Sequence, residues 1–251
     1  MKTSNILLLS MIGVILLFIT VSLTMIRNDL KGAFNEKETI KTSGVVVGEE
    51  RDVKPFNKIN VSNNIKVRFT QDSSYHVTVN ADSALIEIVE TQVMEGTLFL
   101  RTKKSYDKKE RIEIVVSSKQ LEAISVSNGS EFTTTGKISV PSLTIDAISG
   151  ANIYINCEVD NIKIDSNSGS KTTLNGQCKK MIVSCDAGSQ IIANNMTVQE
   201  ADINANSGSQ VMVYVTELIN IEARSGSKIV CKGNPQTGKI DVSGGAQFNK
   251  E

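Results

Sequence analysis

In the second half of the chain, apolar and polar positions alternate in step with a glycine that returns about every 19 residues. Gly129, Gly150, Gly169, Gly188, Gly208, Gly226 and Gly245 lie 21, 19, 19, 20, 18 and 19 residues apart. Five positions before them stand Ile124, Ile145, Ile164, Val183, Ile203, Ile221 and Ile240, all β-branched. Three before stand the smaller Val126, Ala147, Ser166, Cys185, Ala205, Ala223 and Val242; three after stand Phe132, Ile153, Thr172, Ile191, Val211, Ile229 and Phe248. Directly after each glycine is a serine or an alanine. The even offsets are polar: Ser125, Asp146, Asp165, Ser184, Asn204, Glu222 and Asp241 four before, and Glu131, Asn152, Lys171, Gln190, Gln210, Lys228 and Gln247 two after.

A local period of two is that of a strand with one buried and one wet face, and the β-branched positions agree. Hairpins joined by Ser-Gly turns would repeat at shorter intervals and without a fixed phase. The pattern predicts a parallel β-helix of about 19 residues per coil, each coil burying its apolar face on its neighbours. At ~4.8 Å per coil the six intervals would make a rod on the order of 29 Å long. The glycine marks a tight corner, where it supplies a positive φ or a close backbone approach. The neighbouring serines are small enough for the corner and can bond local backbone.

Upstream the glycine phase is missing. Phe56, Ile59, Val61, Ile65, Val67 and Phe69 alternate as a first coil with Asn63 and Asn64 at its corner; Tyr75, Val77 and Val79 alternate next, and Glu95-Gly96 reads as a turn. A solenoid needs an atypical end to cover its core, so residues 50–118 are assigned to amino-terminal coils and cap, and 119–251 to the regular repeats. The run RTKKSYDKKER at 101–111 reads as a solvated hairpin tip, the common place for a charge run, although it could also touch phosphates or an anionic polymer. Residues 27–49 are polar and read as a stalk. Residues 6–26, after a short tail at 1–5, are uncharged over a length that spans a bilayer, and read as a transmembrane anchor rather than a cleaved signal. Lys2 on one flank and Arg27 and Lys31 on the other leave the orientation undecided.

Composition narrows the function. With 27 basic and 27 acidic residues the formal net charge is zero, without the basic excess of a nucleic-acid binder. Aromatics are 4% of the chain and tryptophan is absent, which leaves few rings to stack on sugars. Cys185 and Cys231 sit at inward offsets and read as small core residues. Cys157 and Cys178 fall on adjacent coils at differing offsets, so a disulfide between them is a minority reading. His76 is the single histidine, which excludes a Cys/His zinc site.

The blocks FNKINVSNNIKV (56–67), LEAISVSNGS (121–130) and LTIDAISGA (143–151), in this order, resemble the auto-transporter adhesin head GIN domain family over about residues 50–249. The resemblance implies an exported right-handed β-helix in a bacterial cell envelope and carries over no catalytic residue. The long amino-terminal anchor is a departure from the family's usual signals.

Candidate chemistry is sparse. Asp146 and Asp165 stack on adjacent coils, and Ca²⁺ would relieve their repulsion; the nonapeptide calcium repeat is missing, however, and Lys163 can neutralise the pair. A polysaccharide-active enzyme would need paired carboxylates in a walled cleft, whereas coils of nearly constant length leave no long loops, and Tyr154 and Tyr214 are the only tyrosines on the repeats. The expectation is a non-catalytic, membrane-anchored envelope surface without metal or cofactor, binding a polysaccharide or protein through its outward ladders. The alternative is a self-assembling polymer similar to bactofilins, joined head to tail because the last coil, at 240–248, lies close to the end of the sequence and leaves a strand edge open.

Overall fold

In the computed structural model, which describes residues 40, 42–107 and 109–251, the alternation becomes an all-β solenoid whose sixteen strands join one continuous sheet. The strands are β1 (Val46–Glu50), β2 (Lys58–Val61), β3 (Ile65–Gln71), β4 (His76–Asp82), β5 (Val89–Met94), β6 (Thr97–Thr102), β7 (Ile112–Ser118), β8 (Ala123–Val126), β9 (Glu131–Ala147), β10 (Asn152–Ser166), β11 (Lys171–Cys185), β12 (Gln190–Ala205), β13 (Gln210–Ala223), β14 (Lys228–Lys232), β15 (Gln236–Val242) and β16 (Gln247–Lys250). A 3-10 turn at Ile86–Ile88 is the one helical element among the described residues. From β8 to β16 the coils pair in parallel, and the register matches the sequence phase: Ile145 faces Ile164, Ile164 faces Val183, and Val183 faces Ile203. The inward positions from Ile124 to Ile229 form one continuous core.

The glycine corner is a two-residue turn in which both central residues are left-handed. The residue before each glycine has φ of 49–60° at Asn128, Ser149, Ser168, Ala187, Ser207, Ser225 and Gly244, and the glycines themselves lie at 70–77°. This is the type I′ combination. A Cβ added at Gly150, Gly169, Gly188, Gly208, Gly226 or Gly245 would meet nothing within 4 Å. Of the two roles open to these glycines, conformation is the one used. Each turn also bonds the next: Gly150 N–H donates to Ser168 O at 3.1 Å, and Gly169 N–H to Ala187 O at 3.1 Å. At Ser170, Ser189, Ser209 and Ser227 the serine that follows the glycine points inward, and its hydroxyl reaches the preceding coil. Ser170 Oγ donates to Ala147 O (2.9 Å), Ser189 to Ser166 O (2.7 Å), Ser209 to Cys185 O (2.8 Å) and Ser227 to Ala205 O (2.9 Å). A buried hydroxyl is thus satisfied in every such coil, as burial requires.

The amino-terminal region departs from chain order. The coil β2–β3, first in sequence, lies second in the stack: β2 pairs in parallel with both β6 and β8, and β3 with both β7 and β9. Coil β6–β7 covers it, and antiparallel strands finish the end, β5 on β6 and β4 then β1 on β7. Leu85, Ile86 and Ile88 are buried there. Antiparallel strands and a plug of apolar side chains give the end a cap, since a hairpin such as β5–β6, turned by Glu95 and Gly96 at positive φ, cannot continue the parallel register.

Two sequence readings change. Val46–Glu50 forms β1, so strand structure begins inside the segment read as a stalk. The latch is Asp82, which accepts Ser43 N–H (3.0 Å), Gly44 N–H (2.7 Å) and Ala84 N–H (2.9 Å). The charged insertion is not a free hairpin tip: Tyr106 is buried, its hydroxyl 3.1 Å from the carbonyl oxygens of both Asn63 and Asn64. Among the described residues no helix is long and apolar enough to cross a membrane; the run 6–26 read as an anchor lies outside them.

Candidate functional site

Each coil has a second corner, Pro141, Asp160 and Lys179 in successive coils, that differs from the glycine corner. Strands β9 to β13 run through it without a break, and there the ladder leaves one residue of each of β9 to β12 unpaired and two of β13. Val159 pairs with Val140 and with Cys178, Asn161 pairs with Ser142 and with Lys180, and Pro141, Asp160 and Lys179 between them are unpaired and exposed. Stacked coil on coil, these bends form a groove of about 470 Å³. Its floor is Val140, Val159 and Cys178, one wall is the in-register ladder Ser139, Glu158, Gln177 and Thr197, and the rim carries Asp160, Lys179 and Gln199. The groove thus presents hydroxyls, amides and charges over a narrow apolar strip that runs along the stacking direction.

Its charges are already matched. Lys137 Nζ lies 2.6 Å from Glu158, and Lys179 Nζ lies 2.7 Å from Asp160. The Lys137 hydrogen bond, then that from Gln177, holds the Glu158 carboxyl below the usual carboxylate range. Burial pushes the Cys178 thiol up to about 12, and Cys157 likewise, so both are protonated at neutral pH and poor nucleophiles. All four cysteines are free and buried, with no bridge between Cys157 and Cys178.

The predicted residues fall where their offsets put them, but they do not converge. The seven glycines line one corner and bear on structure. Asp146 and Asp165 do stack in register, Lys163 pairs with Asp165 at 3.0 Å, and the described residues contain no group of three or more His, Cys, Asp or Glu side chains placed to hold a metal. Burial first, then the neighbouring Asp165, raises the Asp146 carboxyl above its usual value. His76 lies exposed on β4, far in sequence from the groove.

The sequence reading missed two features. One is the groove: its residues look like ordinary outward polar positions, and only the bend of each coil makes them concave. The other is an outward column four residues after the glycines that turns apolar along the stack, Thr133, Tyr154, Thr173, Ile192, Met212 and Val230, in register across the coils. Tyr154 is 41% exposed; Tyr214, 38% exposed, stands instead in register with Thr197 of the groove wall. The same glycine offset that revealed the core would have revealed this column.

The family described as "Putative auto-transporter adhesin, head GIN domain" matches residues 55–235. Among solved structures, a putative adhesin from Bacteroides fragilis superposes with a TM-score of 0.80 at 18% identity, covering 84% of this chain and 100% of that one. A putative lipid binding protein from Parabacteroides distasonis (TM-score 0.67, 18% identity, 85% and 100% covered) and a putative adhesin from Parabacteroides merdae (TM-score 0.67, 16% identity, 85% and 99% covered) share the fold. Curated proteins give no match.

Proposed function

Because the chain belongs to the head GIN domain family, we propose that it is a non-catalytic binding protein of the cell envelope, tethered through residues 6–26 with its solenoid exported. It receives an extended, largely uncharged polysaccharide along the second corner. The observation that carries this reading is the groove, with an apolar floor for the faces of sugar rings and in-register hydroxyls and amides for their hydroxyl groups. Concave sites of this size with few placed polar groups are the usual form of a binding site. The ion-paired carboxylates and the protonated Cys178 thiol equip it for hydrogen bonding rather than bond cleavage.

Calorimetric titration of neutral hexasaccharides (cello-, xylo- and mannohexaose) into the full chain tests the reading. Saturable binding that weakens about tenfold in Gln177→Ala or Thr197→Ala supports it; binding that both variants leave unchanged removes the groove from consideration. Uronate polymers are expected to keep their length on incubation with the protein, and their depolymerisation would overturn the non-catalytic assignment. For topology, protease should digest the solenoid on spheroplasts with an intact inner membrane; protection until that membrane is opened would refute export.

A second reading is favoured by one observation. At the carboxyl-terminal coil the inward Ile240 is 40% exposed and Val242 39%, whereas their counterparts one coil earlier, Ile221 and Ala223, are at most 2% exposed. β15 and β16 each have one neighbour in the sheet, so the edge can accept another strand. Head-to-tail assembly would use it. Against this, β15 carries a register shift and Lys239 at its edge, two features that blunt strand addition. Sedimentation of the full chain as a single monomeric species at high concentration would dismiss assembly.

A further inference from the structure

The charged insertion is the motif that the groove does not absorb. Its anchor places it with care. Tyr106, buried against the Asn63–Asn64 corner, brings Lys109, Glu110 and Arg111 over the outward face of β3. There they close a cavity of about 490 Å³ with Lys66, Arg68, Glu113 and Glu131. The site lies on the glycine-corner side of the solenoid, away from the corner groove.

The charges in this cavity are unevenly used. Lys66 is matched by Glu131 at 2.9 Å, and Arg68 Nε by Glu113 at 2.6 Å. Glu110 accepts a hydrogen bond from Thr42 Oγ1 at 3.1 Å. Two of the carboxylates are therefore neutralised in place, and the third is tied to the segment before β1. Lys109 and Arg111 enter no ion pair among the described residues. Arg68 meets its carboxylate at Nε, one nitrogen of a guanidinium that carries five donors, and its side chain is half exposed. The donors left over come from three cationic side chains on the insertion and β3, held over one concavity. A planar fork of N–H groups beside an ammonium suits an oxyanion.

We propose that this cavity binds an oxyanion group, a carboxylate or a phosphate, carried by an anionic envelope polymer, with Arg111 and Lys109 as its donors and the half-exposed Arg68 beside them. Tyr106 acts as a positioning residue: it touches no ligand and sets where the insertion lies. The anionic site and the neutral corner groove then engage different polymers, or different parts of one.

The test is equilibrium binding of polygalacturonate and, separately, polyphosphate to the full chain in neutral detergent at low salt. At least one polymer is expected to bind, and to weaken with added salt as charge screening requires. Lys109→Gln combined with Arg111→Gln, both at exposed positions, is expected to weaken binding tenfold or more. Lys171→Gln, which removes one positive charge two coils from Glu131 on that face, should leave it unchanged. Binding of polygalacturonate alone identifies a carboxylate source, and of polyphosphate alone a phosphate source. If neither polymer binds, or if Lys171→Gln costs as much as the double variant, the site does not exist as described.

Discussion

At the scale of single residues, the repeat glycines and a few buried polar atoms decide how well a coil closes. Gly169 sits at φ of 70° with open space where a Cβ would go. Gly169→Ala should therefore cost about 1–2 kcal/mol, the left-handed penalty alone, and Gly169→Asn distinctly less, since asparagine visits that region more readily. Gly176 is a different case. It has φ of 114°, and an added Cβ would strike the carbonyl of Cys157 on the neighbouring coil. Gly176→Ala should lower the urea midpoint much further than Gly169→Ala, and equal midpoints would contradict this distinction. Thr172 occupies an inward position that is isoleucine, valine or phenylalanine in the other coils, and its buried Oγ1 has no hydrogen-bond partner among the described residues. Thr172→Val should stabilise by about 1–2 kcal/mol by removing an unsatisfied hydroxyl, read as a higher midpoint at unchanged m-value. The cysteines are predicted to resist iodoacetamide at pH 8 in the folded protein and to react together on unfolding, because burial raises their pKa values.

At the scale of elements, two carboxylates give opposite pH dependences. Hydrogen bonds, the Ser43 N–H foremost, hold Asp82 below the usual carboxylate range although burial opposes them. A depressed acid favours folding above its unfolded value, and that contribution is lost as pH falls through the folded one. The β1 latch should therefore loosen in acid below about pH 4. Hydrogen exchange at Gly44 and Ala84 should accelerate there, after correction for intrinsic rates, and in Asp82→Asn at neutral pH. Asp146 is raised, so its ionised form opposes folding at neutral pH and the penalty fades as pH falls through its folded value. Asp146→Asn should melt higher than the parent at pH 7 and converge with it in acid. If that gain appears equally at both pH values, charge is not its cause. The solenoid elements themselves were legible in sequence because inward and outward positions repeat in phase. The order of the first coils was not, since nothing in the residues 56–69 says that 97–118 returns to cover them.

At the scale of the whole molecule, the two ends and the two corners are unlike, and function follows that asymmetry. The amino-terminal end is capped by antiparallel strands, while the carboxyl-terminal coil leaves Ile240 and Val242 half wet. Ile240→Lys should leave the monomer folded and abolish any concentration-dependent assembly seen by sedimentation; assembly that survives it uses another surface. The alternation of side chains by itself determined that the chain stacks coils, which face of each coil is core, and where the glycine turns fall. These follow from local geometry, because a period of two and a positive φ are properties of neighbouring residues. The second corner, the pinned insertion and its cavity were decided only in three dimensions. A bend that makes Gln177 and Thr197 line a groove, or a tyrosine that seats a charge run 42 residues from its anchor, depends on which coils lie side by side, and outward polar residues carry no periodic mark of that.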